Sequence, residues 1–313
     1  MKQPNLAAIM GWVLFFSIAV FGCNNQSKPT NKTGPDTLRI SADESFKPII
    51  DEQVKMYEAS FPPTKIMLAY KPEADCLRDF YRDSATMMVL VTRGLTDKEE
   101  YSFKEAEGYF PHWGSLAADA IALLVHKDDP DTLFTQQELR NYLNGKSTKK
   151  KPFVFDGLSA TSTIRFATDS ILRGDVFDTT VVRAAKNSRE VIDYVASTPG
   201  SVGLVGISWI GNPEDTAQVK LLKKVKIAYV KCELCTDHPY VKPSQQSIMQ
   251  GRYPLVRALH YISKEGYSGT ASDFAAFMRY ERGQLIFRRA YLMPLKMDFN
   301  VRNIKINETL RKE

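Results

Sequence analysis

Histidine and cysteine are scarce in this 313-residue sequence, with four of each, and their scarcity limits the chemistry that the chain can perform. The sequence contains neither a GxSxG nor an HExxH motif, and no histidines have the spacing of a metal site: they are His112, His126, His238 and His260. A hydrolase, for example a secreted phosphatase, would need a nucleophile with a base, or a metal cluster. We therefore expect a binding protein rather than an enzyme, with no metal and no cofactor.

Long apolar runs are missing from the sequence except at its N-terminus. There Lys2 precedes the apolar run 6–21, which ends in the residues VFGC. A charged start, a short apolar run and a small residue before a cysteine are typical of a bacterial lipoprotein signal, in which Cys23 is acylated. The alternative is a transmembrane anchor, although the run barely reaches the roughly 20 apolar residues that a span needs. We predict a signal peptide at 1–22 and a flexible polar tether at 23–35, with the lipid holding the protein at the periplasmic face of a cell-envelope membrane.

Aromatic residues are absent from the two densest basic runs, 149–151 and 220–226, although the chain carries a formal net charge of +6. Surfaces that bind nucleic acids usually combine basic residues with aromatic ones. Both runs are flanked by polar or strand-like residues, so we expect them to be solvated faces. No nucleic-acid partner is predicted.

Three cysteines remain once Cys23 is assigned to the lipid. Outside the cytoplasm, Cys232 and Cys235 can form a disulfide. They follow a strand-like run, as a thioredoxin-type redox pair would, but such a pair also needs a helix that lowers the pKa of its first cysteine. Two prolines shortly after Cys235 prevent that helix. We favour a structural clip in a loop over redox catalysis, and a buried free thiol at Cys76.

Residues 37–70 follow a strand–helix–strand pattern. Alternating apolar residues come first, capping residues then lead into a helix with one apolar stripe, and two prolines end it before a second strand. This βαβ unit predicts a parallel sheet. Further strands are expected at 87–91, 117–126, 180–185, 202–207 and 253–262, and further helices at 76–82, 135–143, 188–196, 272–281 and 284–291.

The stretch 156–172 (DGLSATSTIRFATDSIL) places a cluster of hydroxyl residues between a short apolar strand and a helical pattern. The first turn of a helix leaves amide N–H groups unpaired and carries a partial positive charge, which suits an oxyanion. Hydroxyl and guanidinium groups add further donors. The alternative is that one hydroxyl only caps the helix. The residues available for an anion-binding loop are Ser159, Thr161, Ser162, Thr163 and Arg165.

Polar residues also stand out near two of the predicted strands. Ser45 and Phe46 lie where the first strand meets a helix start, a place at which open α/β sheets bind ligands. An ordinary N-cap by Asp43 or Ser45 is the alternative. Asp119 interrupts the apolar run 117–126, so it is either at a solvated strand edge or a deliberately buried hydrogen-bond acceptor.

Several segments, in their order along the chain, resemble the phosphate-binding component of bacterial phosphate ABC transporters, the PstS-like type II periplasmic binding proteins. They cover most of residues 38–295 and read ISADESFKP, VLVTRGLTDKEE, LAADAIALLVHKDDP, FTQQELRNYLNGK, SATSTIRF, VIDYVASTPGSVGLVG, YPLVRALHYIS and FAAFMRYERGQLIFRRAYLMPL. The resemblance implies an α/β fold with two lobes, each a mixed, mostly parallel sheet flanked by helices, joined by two crossover strands. Lobe 1 would comprise 36–125 and 241–313, and lobe 2 would comprise 126–240.

The same resemblance implies a phosphate site between the lobes. Its ligands would be the Ser45 hydroxyl, the Phe46 amide, Thr92, Asp119 and the loop residues Ser159, Thr161, Ser162 and Thr163, with a guanidinium from Arg165 or Arg93. A Gly-rich first loop in the family is replaced here by residues 42–44, and the acids Asp43 and Glu44 would repel a dianion unless they point away.

The function implied is that of a monomeric, lipid-anchored substrate-binding protein that delivers inorganic phosphate to ABC transporter permease subunits. Asp119 would favour phosphate over sulfate. Phosphate still carries a proton at neutral pH, so the carboxylate can accept a hydrogen bond from it, whereas fully ionised sulfate has no proton to donate. Two alternatives stay open. One is a sensor or interaction lipoprotein of the same fold without tight phosphate binding, and the other is a binder of another tetrahedral oxyanion such as sulfate.

Overall fold

The structure, a computed structural model, describes residues 36–157 and 160–295. Its first part is the predicted βαβ unit followed by a third strand: β1 (Asp36–Asp43), α1 (Lys47–Ser60), β2 (Thr64–Lys71), α2 (Glu73–Arg82) and β3 (Thr86–Val91). Strand β1 pairs in parallel with both β2 and β3. The parallel sheet is thus confirmed, and the apolar stripe of α1 is buried on it: Ile49, Ile50, Val54 and Tyr57.

The next elements are α3 (Asp97–Glu107), β4 (His112–His126), β5 (Leu133–Phe134) and α4 (Gln136–Leu143). Both helices begin with a capping box, in which the N-cap threonine and a glutamate three residues later bond each other's backbone amides. Strand β4 has fifteen residues, so it begins earlier than the apolar run at 117. Its first residues are only half-buried, which is why apolar patterning alone misses them.

The predicted anion loop lies between β6 (Phe153–Phe155) and α5 (Ser162–Phe166), whose axis continues as a π-helical turn, Ala167–Leu172. After it come β7 (Val182–Ala184), α6 (Ser188–Ser197) and β8 (Val202–Gly206). The remaining elements are α7 (Thr216–Leu222), β9 (Val225–Ile227), β10 (Tyr229–Lys231), β11 (Tyr240–Val241), α8 (Gln245–Met249), β12 (Val256–Ser263), α9 (Thr270–Arg279), α10 (Glu281–Arg289) and β13 (Met293–Pro294).

Strand β4 connects the two ends of the main sheet. Within the described residues this sheet has ten strands, in the order β2-β1-β3-β12-β4-β8-β6-β7, with β13 and β9 also paired to β4. Residues up to Ala120 pair antiparallel with β12, whereas residues from Ile121 onward pair antiparallel with β8. Strands β6, β7 and β8 are mutually parallel. The fold is therefore mixed α/β, and Asp119 lies next to the point where β4 exchanges one neighbour for the other.

The cysteine predictions agree with the structure where it describes them. Cys232 and Cys235 form a disulfide with a Cα–Cα distance of 5.5 Å, and Cys76 is a buried free thiol. No helix within residues 36–157 and 160–295 is both long and apolar enough to cross a bilayer. The predicted signal peptide, the tether with Cys23, and Ser159 lie outside the described residues. The lobe boundaries stay a prediction.

Candidate functional site

A buried ion pair between neighbouring strands forms the centre of the candidate site. Arg257 on β12 stands directly opposite Asp119 on β4 in the strand register. The Arg257 Nε donates to Asp119 Oδ2 at 2.8 Å, and the two side chains are only 4% and 0% exposed. Ionised groups this deep are stable only when they are paired and hydrogen-bonded. Asp119 is therefore a buried acceptor and not a solvated edge residue.

The rest of the Arg257 guanidinium binds two serine hydroxyls from distant parts of the chain. Its Nη1 donates to Ser162 Oγ at 2.7 Å and its Nη2 to Ser45 Oγ at 2.9 Å, and the two hydroxyl oxygens are 3.3 Å apart. The Phe46 ring lies under the guanidinium, 4.8 Å from its carbon, in a cation–π contact. We call Ser45, Phe46, Asp119, Ser162 and Arg257 the arginine cluster. It joins the ends of β1 and α5 to the middle of the sheet.

The wall of the arginine cluster is shaped by two residues at the end of β8: Gly206, its last residue, and Trp209, three residues later. At Gly206 a Cβ would lie 3.1 Å from the Ser45 carbonyl oxygen and 3.2 Å from Arg257 Nη2, so any side chain there would crowd both groups. The Trp209 indole N–H donates to the same Ser45 carbonyl at 2.9 Å. Glycine thus permits the close approach, and Trp209 fixes the Ser45 backbone.

Three more acids surround the arginine cluster. Asp43 accepts hydrogen bonds from the Ser45 amide at 2.9 Å and the Ser45 hydroxyl at 2.7 Å. Asp156 accepts from the Thr163 hydroxyl at 3.1 Å. Glu44 accepts from the amide and hydroxyl of Ser188 at the start of α6, at 3.1 and 2.9 Å. Asp43 caps the turn at Ser45, as the capping alternative proposed, but it also contacts the site instead of pointing away from it.

Burial dominates the electrostatics of these acids. It raises the pKa of Asp43 and of Asp119, although the Arg257 guanidinium opposes the rise. Burial, with the nearby Asp43 carboxylate, raises the pKa of Asp156 to about 6. It also raises the pKa of Glu44 to about 7, even though Ser188 lowers it. Protonation of Asp156 and of Glu44 therefore falls close to neutral pH.

A second group of polar residues, which we call the Glu73 cluster, holds the other predicted ligands. The Glu73 carboxylate accepts from the Thr92 amide and hydroxyl at 2.7 and 2.6 Å, and from Arg165 Nε at 2.7 Å. Arg165 also donates to the Thr92 hydroxyl at 2.6 Å. Burial opposes ionisation of Glu73, but the bonds from Arg165 and Thr92 outweigh it and lower its pKa. Thr92 and Arg165, which were predicted to bind phosphate, thus already bind an anion of the protein itself, the Glu73 carboxylate.

The remaining predicted residues have other contacts. Thr161 is the N-cap of α5, where its hydroxyl accepts from the Ile164 amide at 3.3 Å, so the capping alternative holds for this residue. Thr163 contacts Asp156. Arg93, the second arginine candidate, forms a two-nitrogen pair with Glu99 at 2.7 and 2.8 Å.

Sequence reasoning missed Arg257, Glu73 and Asp156 as site residues. Arg257 is the lone charge in the strand run YPLVRALHYIS, just as Asp119 is the lone acid in its own run. Two isolated opposite charges in apolar strands indicate a cross-strand ion pair, and this signal could have predicted the pairing of Arg257 with Asp119. Glu73 carries no comparable signal, because its role depends on contacts with residues 19 and 92 positions away.

Taken together, the arginine cluster offers a guanidinium, two hydroxyls and a carboxylate in one buried place. Guanidinium and hydroxyl groups are suited to the oxygens of a small oxyanion, and a carboxylate is suited to a proton that such an ion carries. Within the described residues, no group of three histidine, cysteine or acidic side chains could hold a metal ion.

Comparison with known proteins identifies the family. The profile of the PBP superfamily domain matches residues 27–281. The chain belongs to the PBP superfamily. Phosphate-binding protein PstS of Pseudomonas aeruginosa is 27% identical to it over 196 residues, in each of two strains. The match covers 56% of this chain and 56% of that protein, so the chain spans about half the length of the curated relatives it matches.

Two solved structures have a similar fold. A protein from Clostridium perfringens, assigned as a phosphate ABC transporter substrate-binding protein and carrying bound phosphate, gives a TM-score of 0.67 at 17% identity, covering 83% of this chain and 100% of that one. An ABC-type phosphate transport receptor from Vibrio cholerae gives 0.59 at 18% identity with the same coverage. The chain therefore has the mixed α/β fold of the type II periplasmic binding proteins, as the sequence resemblance implied.

Proposed function

We propose that this protein is a substrate-binding protein that captures inorganic phosphate for an ABC transporter. The observation that carries the proposal is the arginine cluster, in which Ser45, Ser162 and Arg257 place their donor groups 2.7–3.3 Å apart although they come from three separate segments. Relatives of the same superfamily are described as phosphate-binding proteins, which agrees with this chemistry.

Phosphate would bind by replacing contacts within the arginine cluster. Its oxygens would take over the hydrogen bonds that the Arg257 guanidinium now makes to the two serine hydroxyls. Hydroxyls both donate and accept, so they can turn toward the ion without an energetic mismatch. Exclusion of water around the ion would strengthen each charge-assisted bond. Donors in the separate lobes would thus favour a closed form that the permease subunits recognise.

Asp119 would supply the preference for phosphate over sulfate. Its Oδ2 is bound by Arg257, whereas its buried Oδ1 has no hydrogen-bond partner among the described residues. A protonated phosphate oxygen can donate to that atom, but fully ionised sulfate can only be repelled by it. A site that distinguishes two ligands by their hydrogen bonds can be more selective than an apolar pocket that distinguishes them by shape.

The cellular setting belongs to the same proposal. Acylation of Cys23 after removal of residues 1–22 would hold the protein by a lipid, with 23–35 as the tether, at the periplasmic face of the cell envelope. Residues 36–125 with 241–313 would form one lobe and 126–240 the other. The protein would act as a monomer alongside ABC permease subunits. The Cys232–Cys235 disulfide fits an oxidising compartment.

Calorimetry of the purified protein with inorganic phosphate tests the proposal. We expect micromolar or tighter binding to the wild type. In Ser162→Ala we expect about tenfold to hundredfold weaker binding, because one hydrogen bond to a charged group contributes about 1.5–3 kcal/mol. Ser197→Ala is the control, since that hydroxyl is exposed and bonds only to its own helix. Absence of phosphate binding in the wild type, or equal binding in the two variants, would contradict the proposal.

The substitution Asp119→Asn tests the origin of selectivity. An amide can still accept from Arg257 but turns an N–H toward the ion, so we expect phosphate to bind more weakly and sulfate more strongly. The ratio of the two dissociation constants should narrow at least about tenfold, which corresponds to about 1.4 kcal/mol. Competition calorimetry with the two ions measures the ratio. An unchanged ratio would remove Asp119 from the ligand contacts.

A further inference from the structure

The candidate site contains more buried negative charge than a phosphate site needs. Around the single Arg257 guanidinium lie three aspartates, Asp43, Asp119 and Asp156, whose relative exposures are 1%, 0% and 7%. Arg257 bonds only one of them directly. Asp43 Oδ2 and Asp156 Oδ1 are buried and have no hydrogen-bond partner among the described residues. Among the described residues, one cation therefore faces three carboxylates, each of which carries a buried acceptor atom without a hydrogen-bond partner.

We propose that Asp43 and Asp156 are specificity-determining residues that make the site bind its oxyanion together with protons. The ligand class is a protonated tetrahedral oxyanion, or an unprotonated one whose binding protonates these carboxyls. The inference rests on the proposed phosphate-binding function and specifies in which protonation state the ligand and the site combine. Asp119 alone does not carry it, because Asp119 is already neutralised by Arg257.

Charge balance gives the physical reason. A doubly charged ion placed beside three ionised aspartates and one arginine would be a buried, uncompensated charge, and such burial is costly. A proton on Asp43 or Asp156 removes one negative charge from the site. It also converts an unsatisfied acceptor into a donor that can reach an oxyanion oxygen. Proton uptake thus reduces the negative charge of the site and also provides a hydrogen-bond donor for the ion.

The surrounding groups do not remove this excess of negative charge. From the turn after β1, Glu44 adds a fourth acid, held by Ser188 of α6. From α2, Glu73 faces the site but is balanced by Arg165 of α5. From β12, Arg257 bonds Asp119 directly and acts on Asp43 and Asp156 through its charge. Glu44 thus adds an acid and Glu73 with Arg165 adds an ion pair, and neither offsets the charge of the aspartates.

The pKa directions agree with the geometry. Burial raises the pKa of Asp43 and raises that of Asp156 to about 6. A group that binds a proton more readily in the complex than in the free protein makes the complex tighter as the pH falls. We therefore expect affinity to increase from pH 8 to pH 6. A site that selected the phosphate dianion would behave in the opposite way, because the dianion is depleted over this range.

The test measures binding of phosphate and of sulfate by calorimetry at pH 8 and pH 6, in two buffers with different ionisation heats. Sulfate stays fully ionised throughout, so any change in its affinity must come from the protein. We expect the dissociation constant of each ion to fall at least about tenfold between pH 8 and pH 6, with at least half a proton taken up per ion at pH 7. The number of protons that the wild type takes up on binding is measured without any variant, so it tests the inference even if a variant folds poorly.

Substitutions of the two aspartates identify which carboxyl groups take up protons when the ion binds. Asp156→Asn and Asp43→Asn should bind sulfate more tightly than the wild type at pH 8 and should each reduce the number of protons taken up. Asp128→Asn is the matched control, because Asp128 is exposed and paired with Lys127, which lowers its pKa. It should leave the proton count unchanged.

Each outcome has a distinct meaning. Binding of phosphate with no proton uptake, or with uptake that both Asp156→Asn and Asp43→Asn leave unchanged, overturns this inference while the proposed function stands. Absence of binding for both ions at both pH values overturns the proposed function and the inference with it. Tighter binding at pH 6, linked to proton uptake that the variants reduce, supports both.

Discussion

Replacing Arg257 by alanine is expected to abolish phosphate binding and to lower the free energy of unfolding by about 3–5 kcal/mol at neutral pH. Arg257 bonds Asp119, Ser45 and Ser162 at once. Its removal leaves the Asp119 carboxylate buried without a cation, and it deprives Asp43 and Asp156 of the positive charge that opposes the rise in their pKa. Urea denaturation measures the stability and calorimetry measures the binding.

Two controls separate the ion pair from general packing. The double substitution Arg257→Met with Asp119→Leu removes both charges and keeps most of the volume, so it should recover much of the lost stability but none of the binding. The cost of Arg257→Ala should also shrink at acidic pH, because protonation neutralises the stranded carboxyls. A loss below about 1 kcal/mol for Arg257→Ala, or phosphate affinity equal to that of the wild type, would contradict the central place given to this residue.

Replacing Glu73 by glutamine is expected to raise the affinity for phosphate by about tenfold, which is about 1.4 kcal/mol. Glu73 now occupies the donors of Thr92 and Arg165 with its own carboxylate. Without that charge, Arg165 would present a positive charge to an incoming anion. Calorimetry measures the gain at a single pH.

The same substitution should destabilise the fold moderately. The Arg165 side chain is 37% exposed, so solvent screens the pair and the loss should be about 1–2 kcal/mol rather than the larger value of a fully buried pair. Since the pKa of Glu73 is lowered in the folded state, its stabilisation is present above the unfolded pKa and is lost as the pH falls through the folded pKa. The difference from the wild type should therefore be largest near neutral pH.

Glu99→Gln is the matched control for Glu73→Gln. Glu99 pairs with Arg93 in the same part of the chain, and both side chains are about as exposed as Arg165, at 28% and 29%. It makes no bond to Thr92 among the contacts described. We expect a similar or smaller loss of stability and no gain in affinity. Equal phosphate affinity of Glu73→Gln and the wild type would mean that Thr92 and Arg165 lie outside the ligand site.

Local sequence patterns predicted much of the fold. The apolar stripe of α1 and the prolines at 62 and 63 were enough to place β1, α1 and β2, and the resulting parallel pairing is observed. Capping chemistry placed α4, where the predicted start at residue 135 is the N-cap. These features depend on residues close to each other in the chain, which is why a single sequence reveals them.

The site could be predicted only in part. The arginine cluster contains the predicted residues Ser45, Asp119 and Ser162. Phe46 is also there, but through its ring, whereas its amide was the predicted ligand. The residue that joins them, Arg257, was missed. Arg257 lies 138 positions from Asp119, and no periodicity links two strands that far apart. Thr92 and Arg165 were expected to hold the ligand, yet the partner they hold is Glu73, which lies ahead of the predicted helix 76–82 and was not considered.

The middle of β4 restricts how the sheet can deform. Where this strand changes neighbours, the Ile121 amide donates to the Leu255 carbonyl at 2.9 Å, and the Tyr253 hydroxyl donates to the Ile121 carbonyl at 2.7 Å. Both backbone polar groups of Ile121 are therefore hydrogen-bonded to the segment immediately ahead of Arg257. These bonds tie the place where β4 changes neighbours to the segment that leads into β12 and its guanidinium.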